Sequence, residues 1–299
     1  MSDAAVLFLY AETPVHAGSD TGSGALDLPI QREVATGLPI IKGESLKGAL
    51  RERFRPVDTN DKAALATWRQ VFGQELTAGG GETRPGSLRV HEAQLVAFPA
   101  PTMEGTFMWV TSPLACARLA RKAKLADLKL PELPAGQSCV GGKKRGELVV
   151  GPYVVDFRPA DPELGARQIA QVHAWAQKVA EVALPDTGDD YFRVKLTDDL
   201  LRCPDELLAA ISRECAPVHA RVQLGKEING ETAKMVQNGP FYSEYLPGET
   251  LLAALVEGKD EDLKLIGQLH DKVLRVGGDE SIGKGLMWCR LWRADAAQG

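Results

Sequence analysis

Strand-like and helix-like segments follow one another in this chain without a regular order. Apolar runs of strand length occur at 6–10, 38–41, 91–98, 106–115, 218–224, 241–245, 250–256 and 286–292. Apolar residues recur at helical spacing over 43–54, 166–184, 205–215 and 262–276. Because a doubly wound sheet requires strands and helices to alternate regularly, this order predicts an α+β fold.

The N-terminus and the hydropathy pattern predict a cytoplasmic protein. The opening sequence, MSDAAVLFLYAETP, lacks the basic flank and the small-residue cleavage site of a signal peptide. No run of about 18 apolar residues occurs, so we expect no membrane-spanning segment. The cysteines are scattered without a C-x-x-C pair, which predicts neither a disulfide framework nor a zinc site.

The charge balance argues against a free-standing nucleic-acid-binding domain. The formal net charge is −5, whereas such domains are normally strongly basic. The basic residues are nevertheless clustered in three segments, 42–55, 118–124 and 143–145. Each cluster is compatible with a solvated face or with a surface that binds a polyanion.

The sequence GGDESIGKG at 277–285 resembles a nucleotide phosphate loop, because Gly278 to Lys284 match G-x-x-x-x-G-K. Such a loop follows a strand and opens a helix, whose N-terminus faces the phosphate. Here a predicted helix ends near Val276, a predicted strand follows the loop, and Gly285 replaces the Ser or Thr that would hold magnesium. This order disfavours a nucleoside triphosphatase. Two alternatives remain, a flexible helix-to-strand connection or a loop whose backbone N–H groups bind another anion.

Three stretches, taken in their order and spacing, resemble one protein family. They are YAETPVHAGS with ALDLPIQRE near the N-terminus, then TGLPIIKGESLKGALRERF, and GGDESIGKGL near the C-terminus. They are similar to the repeat-associated (RAMP) proteins of CRISPR effector complexes, in which a G-x-S-L-K-G-x-L-R helix start and a glycine-rich C-terminal loop recur. The pairing of H-A-G-S with D-L-P-I-Q-R-E resembles most the backbone subunits of type III-B (Cmr) complexes, the family of the fourth Cmr subunit. The sequence GPFYSEYLPGETL also resembles the thumb hairpin of this family.

The resemblance implies an RRM-like, ferredoxin-like palm with a protruding β-hairpin thumb and irregular insertions. We accordingly interpret residues 1–299 as one elaborated domain, with the thumb at 221–242 and an irregular basic insertion at 118–147. Family members polymerise head to tail along a guide RNA (crRNA) and cut bound target RNA at regular intervals in antiviral defence. The implied partners are therefore crRNA, target RNA, other copies of the chain, and other Cmr subunits, among them the large Cas-ten-type subunit and the small subunit.

The resemblance also implies catalytic residues. Asp27 matches the catalytic aspartate of the family, and His16 matches another family position. Cleavage at such a site uses the 2′-hydroxyl of the RNA as the nucleophile. Asp27 would hold a divalent metal, Mg²⁺ or Mn²⁺, together with RNA phosphates and water, or would position and deprotonate the hydroxyl. His16 would shuttle protons or contact RNA. On the residues alone, Asp27 is compatible with an Asx turn and His16 with a hydrogen-bonded loop residue.

Guide-RNA contacts are predicted at three places. Ser45 is expected to cap a helix N-terminus, with Lys47 and Arg51 on one basic face toward guide phosphates. In the glycine-rich loop, the residues expected to contact the RNA backbone are Gly278, Gly283, Lys284 and Gly285. Two apolar thumb residues are predicted to press between bases, or alternatively to pack within the thumb, and these are Met235 and Val236.

Three functions follow from these observations. The leading hypothesis is an RNA-guided, metal-dependent endoribonuclease subunit that polymerises on crRNA. The second is a purely structural crRNA-binding subunit without nuclease activity. The third, disfavoured by the order of the elements around the glycine-rich loop, is a nucleoside triphosphatase.

Overall fold

The structure, a computed structural model, describes residues 3–19, 26–74, 83–133, 139–140, 146–156, 162–225 and 236–294. The strands in these ranges are β1 Asp3–Ala11, β2 Ile40–Ile41, β3 Arg89–Val90, β4 Ala93–Pro101, β5 Phe107–Thr111, β6 Cys139–Val140, β7 Glu147–Val150, β8 Tyr153–Asp156, β9 Leu200–Arg202, β10 Val218–Leu224, β11 Val236–Glu244, β12 Leu251–Gly258, β13 Lys272–Arg275 and β14 Leu286–Trp292. The helices are α1 Gly43–Arg53, α2 Lys62–Phe72, α3 Pro113–Leu125, α4 Pro162–Ala183, α5 Tyr191–Asp198, α6 Asp205–Glu214 and α7 Asp260–Gly267. None of the helices in the described ranges is long and apolar enough to cross a bilayer.

The centre of the fold is a four-stranded antiparallel palm. The elements β1, α1, β4, β12, α7 and β14 follow one another along the chain, with insertions between them. Their strands lie in the spatial order β14-β1-β12-β4, and every neighbouring pair is antiparallel. A β-α-β-β-α-β sequence with this order is the ferredoxin-like arrangement. The predicted α+β class with an RRM-like palm is confirmed.

Strand β1 is buried on both faces, which explains its uninterrupted apolar sequence. Leu7 and Leu9 point to one face, where they join the buried residues of α1 and α7 in a single hydrophobic cluster. Val6 and Phe8 point to the other face, where they join those of α3 and α4. The helices of the long insertion between β4 and β12 therefore cover the second face of the palm.

The same insertion carries the thumb. Strands β10 and β11 pair with each other in a two-stranded antiparallel sheet that is separate from the palm. Val218 lies opposite Glu244, and Leu224 lies opposite Val236. The hairpin expected from the runs at 218–224 and 241–245 is therefore present, and its second strand begins earlier than predicted.

The prediction of an irregular insertion at 118–147 is wrong for the first residues of that segment. Helix α3 occupies residues 118–125, and the strand predicted over 106–115 ends at Thr111. The buried residues of α3 recur at helical spacing and are Ala115, Cys116, Leu119 and Ala123. The basic residues of this segment thus belong to an amphipathic helix, because the apolar residues between them form one continuous stripe. Residues 126–133 form neither helix nor strand.

The helix predicted over 262–276 is too long. Helix α7 ends at Gly267, and a turn with Asp271 at a φ of 54° leads into strand β13. Strand β13 pairs with β14, with Val273 opposite Trp288. Pairing with a neighbouring strand overrides the local helical spacing of the apolar residues, because the second half of this segment satisfies its backbone in the sheet.

The prediction that Ser45 caps helix α1 is also wrong. The helix begins at Gly43, with Lys42 as the N-cap residue and no side-chain cap hydrogen bond, so Ser45 lies in the first turn. A Cβ atom at Gly43 would lie 2.5 Å from the carbonyl oxygen of Val90. The glycine therefore allows α1 to start directly against strand β3.

Candidate functional site

Asp27 lies on a loop that docks against the edge of thumb strand β11. The N–H groups of Asp27 and Leu28 donate to the Tyr242 carbonyl oxygen at 3.2 and 3.1 Å, and the Glu244 N–H donates to the Leu28 carbonyl oxygen at 2.9 Å. The Asp27 carboxylate accepts from the Tyr242 N–H through Oδ2 at 2.8 Å. The side chain is exposed, so the strand holds the carboxylate in place without burying it.

His16 lies along the same edge of β11. Its Nδ1 is 2.8 Å from the Glu244 carbonyl oxygen, which can only accept, so Nδ1 carries the proton and donates. Tyr242 and Glu244 are two residues apart in the strand, which separates the anchoring points of Asp27 and His16 by about 7 Å. The imidazole is buried, and a Cβ atom at Gly18 would lie 2.8 Å from its Nε2. The structure therefore brings both predicted residues to one strand edge, with His16 enclosed and Asp27 open to solvent.

A buried ion pair, which the sequence analysis missed, holds the Asp27 loop on the thumb. Glu244 accepts from the Ile30 N–H at 3.0 Å and from Arg32 Nη2 at 2.6 Å. The Arg32 guanidinium also donates to the Gly37 carbonyl oxygen at 3.1 Å. The two side chains are 4% and 16% exposed. The only sequence signal is a glutamate inside an aromatic strand segment, FYSEY, where a buried charge requires a partner.

The glycine-rich loop connects β13 to β14 and docks against the segment before Asp27. The Gly278 N–H donates to the His16 carbonyl oxygen at 2.9 Å, and the Gly285 N–H donates to that of Pro14 at 2.9 Å. Gly285 has a φ of +80°, and a Cβ atom there would lie 2.4 Å from the Val276 carbonyl oxygen. The fold itself thus requires Gly285. Gly283 also has a φ of +80°, but its surroundings are open.

The glycine-rich loop is flanked by two strands, β13 and β14, which changes the reason for disfavouring a nucleotide site. The loop follows a strand, not a helix as predicted, but it leads into another strand. Its helical content is one 3-10 turn, Glu280–Ile282, which is too short to present a helix N-terminus to a phosphate. The nucleoside triphosphatase remains disfavoured, for this corrected reason.

Asp279 links the glycine-rich loop to the base of the thumb. Its Oδ1 accepts from Arg221 Nη1 at 2.6 Å, and its Oδ2 accepts from the Tyr245 hydroxyl at 2.8 Å. Burial, and then the hydrogen bond to Asp279, raise the pKa of Tyr245. The Lys284 ammonium lies 5.1 Å from the centroid of the Tyr245 ring, within range of a cation–π contact. The predicted loop lysine is therefore positioned beside the thumb.

The residues predicted on α1 line two different concavities. Ser45 lines a cleft of about 640 Å³ between α1 and β13, together with Gly277 of the glycine-rich loop. Lys47 and Arg51 line a concavity of about 400 Å³ on another side of the helix. The Lys47 ammonium donates to the Leu88 carbonyl oxygen at 2.7 Å, and burial, followed by the nearby Arg51 charge, lowers the pKa of Lys47. The basic face formed by Lys47 and Arg51 is present, but it does not surround the helix N-terminus.

The residues predicted to press between bases are Met235 and Val236. Val236 starts strand β11 and is 58% exposed, so its side chain is not packed within the described part of the thumb. Met235 lies outside the described residues. The exposure of Val236 is compatible with a contact to a base.

A groove of about 530 Å³ runs beside Asp27, and its lining comprises Asp27, Leu28, Arg221, Val222 and Phe241. In the part of the chain that the structure describes, no group of three or more His, Cys, Asp or Glu residues could hold a metal ion. Asp27 thus offers one carboxylate. A single carboxylate can bind Mg²⁺ only where phosphate oxygens and water supply the remaining ligands.

Comparisons with known proteins agree with this architecture. The RAMP superfamily model matches residues 8–288. The protein named CRISPR system Cmr endoribonuclease Cmr4, from Pyrococcus furiosus, is 28% identical over 296 residues, which cover 93% of this chain and 92% of that protein. The crystal structure of oligomeric Cmr4 from Pyrococcus furiosus gives a TM-score of 0.67 at 25% identity, covering 97% of this chain and 98% of that chain. A chain of a type III-B Cmr-beta cryo-EM structure bound to cognate target RNA shares the fold, with a TM-score of 0.69 at 18% identity over 96% of both chains.

Proposed function

The chain belongs to the RAMP superfamily, and from this membership we propose that it is the crRNA-binding backbone subunit of a type III-B CRISPR effector complex that cleaves complementary target RNA. The observation that carries the proposal is the convergence of the Asp27 loop and the glycine-rich loop on the thumb. The Asp27 loop is held on strand β11 through Tyr242 and Glu244, and the glycine-rich loop is held on Arg221 of β10 through Asp279. An exposed carboxylate that lines a groove together with the cationic Arg221 suits a reaction on a polyanion.

In the proposed reaction, Asp27 positions the 2′-hydroxyl of the target nucleotide and accepts its proton. The 2′-oxygen forms a bond to the adjacent phosphorus, the bond from phosphorus to the 5′-oxygen breaks, and the leaving oxygen takes a proton from water. The products carry a 2′,3′-cyclic phosphate and a 5′-hydroxyl. The Tyr242 N–H fixes Asp27 Oδ2, and His16 fixes the backbone beside it, so the carboxylate is oriented before the substrate binds.

A divalent metal, Mg²⁺ or Mn²⁺, is part of the proposal. Asp27 would hold it with RNA phosphates and water, and the ion would neutralise charge on the phosphate. Cleavage by the assembled complex is then expected to stop in EDTA and to resume when Mg²⁺ or Mn²⁺ is added. Undiminished cleavage in EDTA would contradict the metal while leaving Asp27 as the proton acceptor.

Guide binding is assigned to surfaces that flank this site. Lys47 and Arg51 contact crRNA phosphates from their concavity, and Lys284 and Ser45 do so near the glycine-rich loop, where Gly278, Gly283 and Gly285 let the backbone approach the RNA. Val236 and Met235 press between bases. Further copies of the chain polymerise head to tail, and the large Cas-ten-type subunit and the small subunit complete the complex.

Reconstitution with crRNA and the other Cmr subunits tests the proposal. We expect complementary target RNA to be cut at regular intervals. A single 2′-deoxy substitution just upstream of one scissile bond should block cutting at that bond alone, because the nucleophile is missing there. Binding of crRNA and target without any cleavage would favour the purely structural subunit instead.

A further inference from the structure

The groove beside Asp27 contains a cation that the proposed reaction has not yet used. Arg221 of β10 lines it together with Asp27, and these two are the charged members of its described lining. A carboxylate and a guanidinium that line the same groove are suited to a reaction in which the 2′-hydroxyl beside a phosphodiester loses its proton. The carboxylate takes the proton, and the guanidinium stabilises the negative charge that develops on the phosphate.

Arg221 is held in place by Asp279, which is itself bound by Tyr245. The Asp279 carboxylate binds Nη1 through Oδ1 at 2.6 Å, and the Tyr245 hydroxyl fixes the other carboxylate oxygen at 2.8 Å. Tyr245 is fully buried, so the anchor is part of the folded core. A guanidinium has five N–H donors in a planar fork, so a contact at Nη1 leaves donors on its other nitrogens for an oxyanion.

The exposure of Arg221 argues against a purely structural tie between the thumb and the glycine-rich loop. Arg32, which ties the Asp27 loop to Glu244, is 16% exposed. Arg221 is 38% exposed, although its ion pair is equally short at 2.6 Å. The Arg32 pair is closed off by protein, whereas the Arg221 side chain is partly open to solvent and the residue lines a groove large enough for a ligand.

We propose that Arg221 is a further catalytic residue that binds a non-bridging oxygen of the scissile phosphate. The inference rests on the proposed function. As the 2′-oxygen bonds to phosphorus and its proton passes to Asp27, the non-bridging oxygens gain negative charge and Arg221 stabilises them without exchanging a proton. Asp279 and Tyr245 are positioning residues, because they act through the guanidinium.

The test uses assembled complexes with crRNA and saturating target, in which the single-turnover cleavage rate is measured. Arg221→Gln is expected to slow cleavage about 100-fold while target affinity changes by less than about threefold, since the lost contact strengthens in the transition state. Arg221→Lys keeps the charge but not the fork and is expected to lie between Arg221→Gln and the unmodified protein. Asp279→Asn keeps the guanidinium and is expected to slow cleavage less than Arg221→Gln.

Chemical rescue separates catalysis from structure. For Arg221→Ala, millimolar guanidinium is expected to restore part of the cleavage rate, whereas it should not affect complexes with the unmodified chain. A wild-type cleavage rate for Arg221→Gln would overturn the inference. Slow cleavage by Arg221→Ala that guanidinium does not rescue would also overturn it, because Arg221 would then be a structural tie. Asp27→Asn in the same assay distinguishes failure of this inference from failure of the proposed function. A complex with Asp27→Asn that still cleaves contradicts the proposed function itself. An inactive Asp27→Asn complex together with an unimpaired Arg221→Gln complex contradicts only this inference.

Discussion

The palm and the face that carries Asp27 are held together by different interactions. In the palm, β1 contributes fully buried apolar residues such as Leu7 and Phe8 to clusters on both faces of the sheet. At the site, the contacts are hydrogen bonds and ion pairs to one strand, with Tyr242 and Glu244 as the main anchors. Many apolar contacts therefore secure the scaffold, while a few polar atoms set the position of the reactive groups.

The largest expected effect on stability comes from the palm. Phe8→Ala removes a fully buried ring, and we expect the free energy of unfolding to fall by about 3–5 kcal/mol. Urea unfolding measures it, with Val57→Ala, at a fully exposed position, as a control expected within about 0.5 kcal/mol. Below the unfolding temperature of the variant, complexes containing Phe8→Ala should cleave at the wild-type rate. A cleavage defect in the folded variant would break the division between scaffold and site.

The next effect lies in the anchor of the Asp27 loop. Glu244→Gln removes the charge that pairs with Arg32, and we expect roughly 2 kcal/mol lower stability, because glutamine keeps one acceptor. Target cleavage should fall about tenfold or more, since loss of geometry weakens catalysis steeply. The matched control is Arg55→Gln, which breaks an exposed pair with Glu52 at 3.5 Å and should change neither quantity. An unchanged cleavage rate for Glu244→Gln would mean that the anchor does not orient Asp27.

A smaller effect concerns guide binding. Lys47→Ala, Arg51→Ala and Lys284→Ala should each weaken crRNA binding and lower the slope of log affinity against log salt by about one unit, because each removes one phosphate contact. Lys264→Ala, which removes an exposed lysine of α7, is the control. Filter binding at several salt concentrations with two unrelated guide sequences measures the slopes. A loss that depends on guide sequence would indicate base recognition instead.

The smallest expected effect is the pH dependence of stability at Glu249. Burial raises the pKa of this carboxyl to about 7, and no described group donates a hydrogen bond to its Oε2. A raised carboxyl pKa favours the protonated folded state, so stability is lost as pH rises from the unfolded value toward 7. Glu249→Gln should therefore raise Tm by about 2 °C at pH 8, discounted for partial solvation, and leave it unchanged near pH 5. Equal shifts at both pH values would show that ionisation is not the cause.

Local sequence patterns predicted most strands and helices of the palm and thumb, because long apolar runs and helical stripes identify them. Their arrangement as a palm with a thumb was implied by the family resemblance. The errors have particular causes. In α3, Ser112 as N-cap and Pro113 in the first turn are strong start signals, but the basic residues and the prolines and glycines downstream favoured a loop. The apolar residues continue at helical spacing past Gly267 into β13. Residues 272–275 form a strand because they pair with β14.

The resemblance supplied Asp27 and His16 as candidate site residues, but it did not supply the residues that hold them in place. Glu244 binds Arg32 across 212 residues of chain, and Asp279 binds Arg221 across 58 residues and Tyr245 across 34. No local pattern encodes such contacts, because a buried charge shows its partner only once the strands are in register. Gly285 was likewise predicted only as a contact to the RNA backbone, whereas in the structure a Cβ atom there would lie 2.4 Å from the Val276 carbonyl oxygen.

The most direct test of the account is Asp27→Asn in the assembled complex. Asparagine keeps an oxygen that can accept from the Tyr242 N–H but loses the charge that binds a metal or accepts a proton. We predict an unchanged Tm, unchanged crRNA and target binding, and target cleavage reduced by about 10²–10⁴-fold. A complex of Asp27→Asn that assembles on crRNA and still cuts target RNA at the wild-type rate would contradict the account.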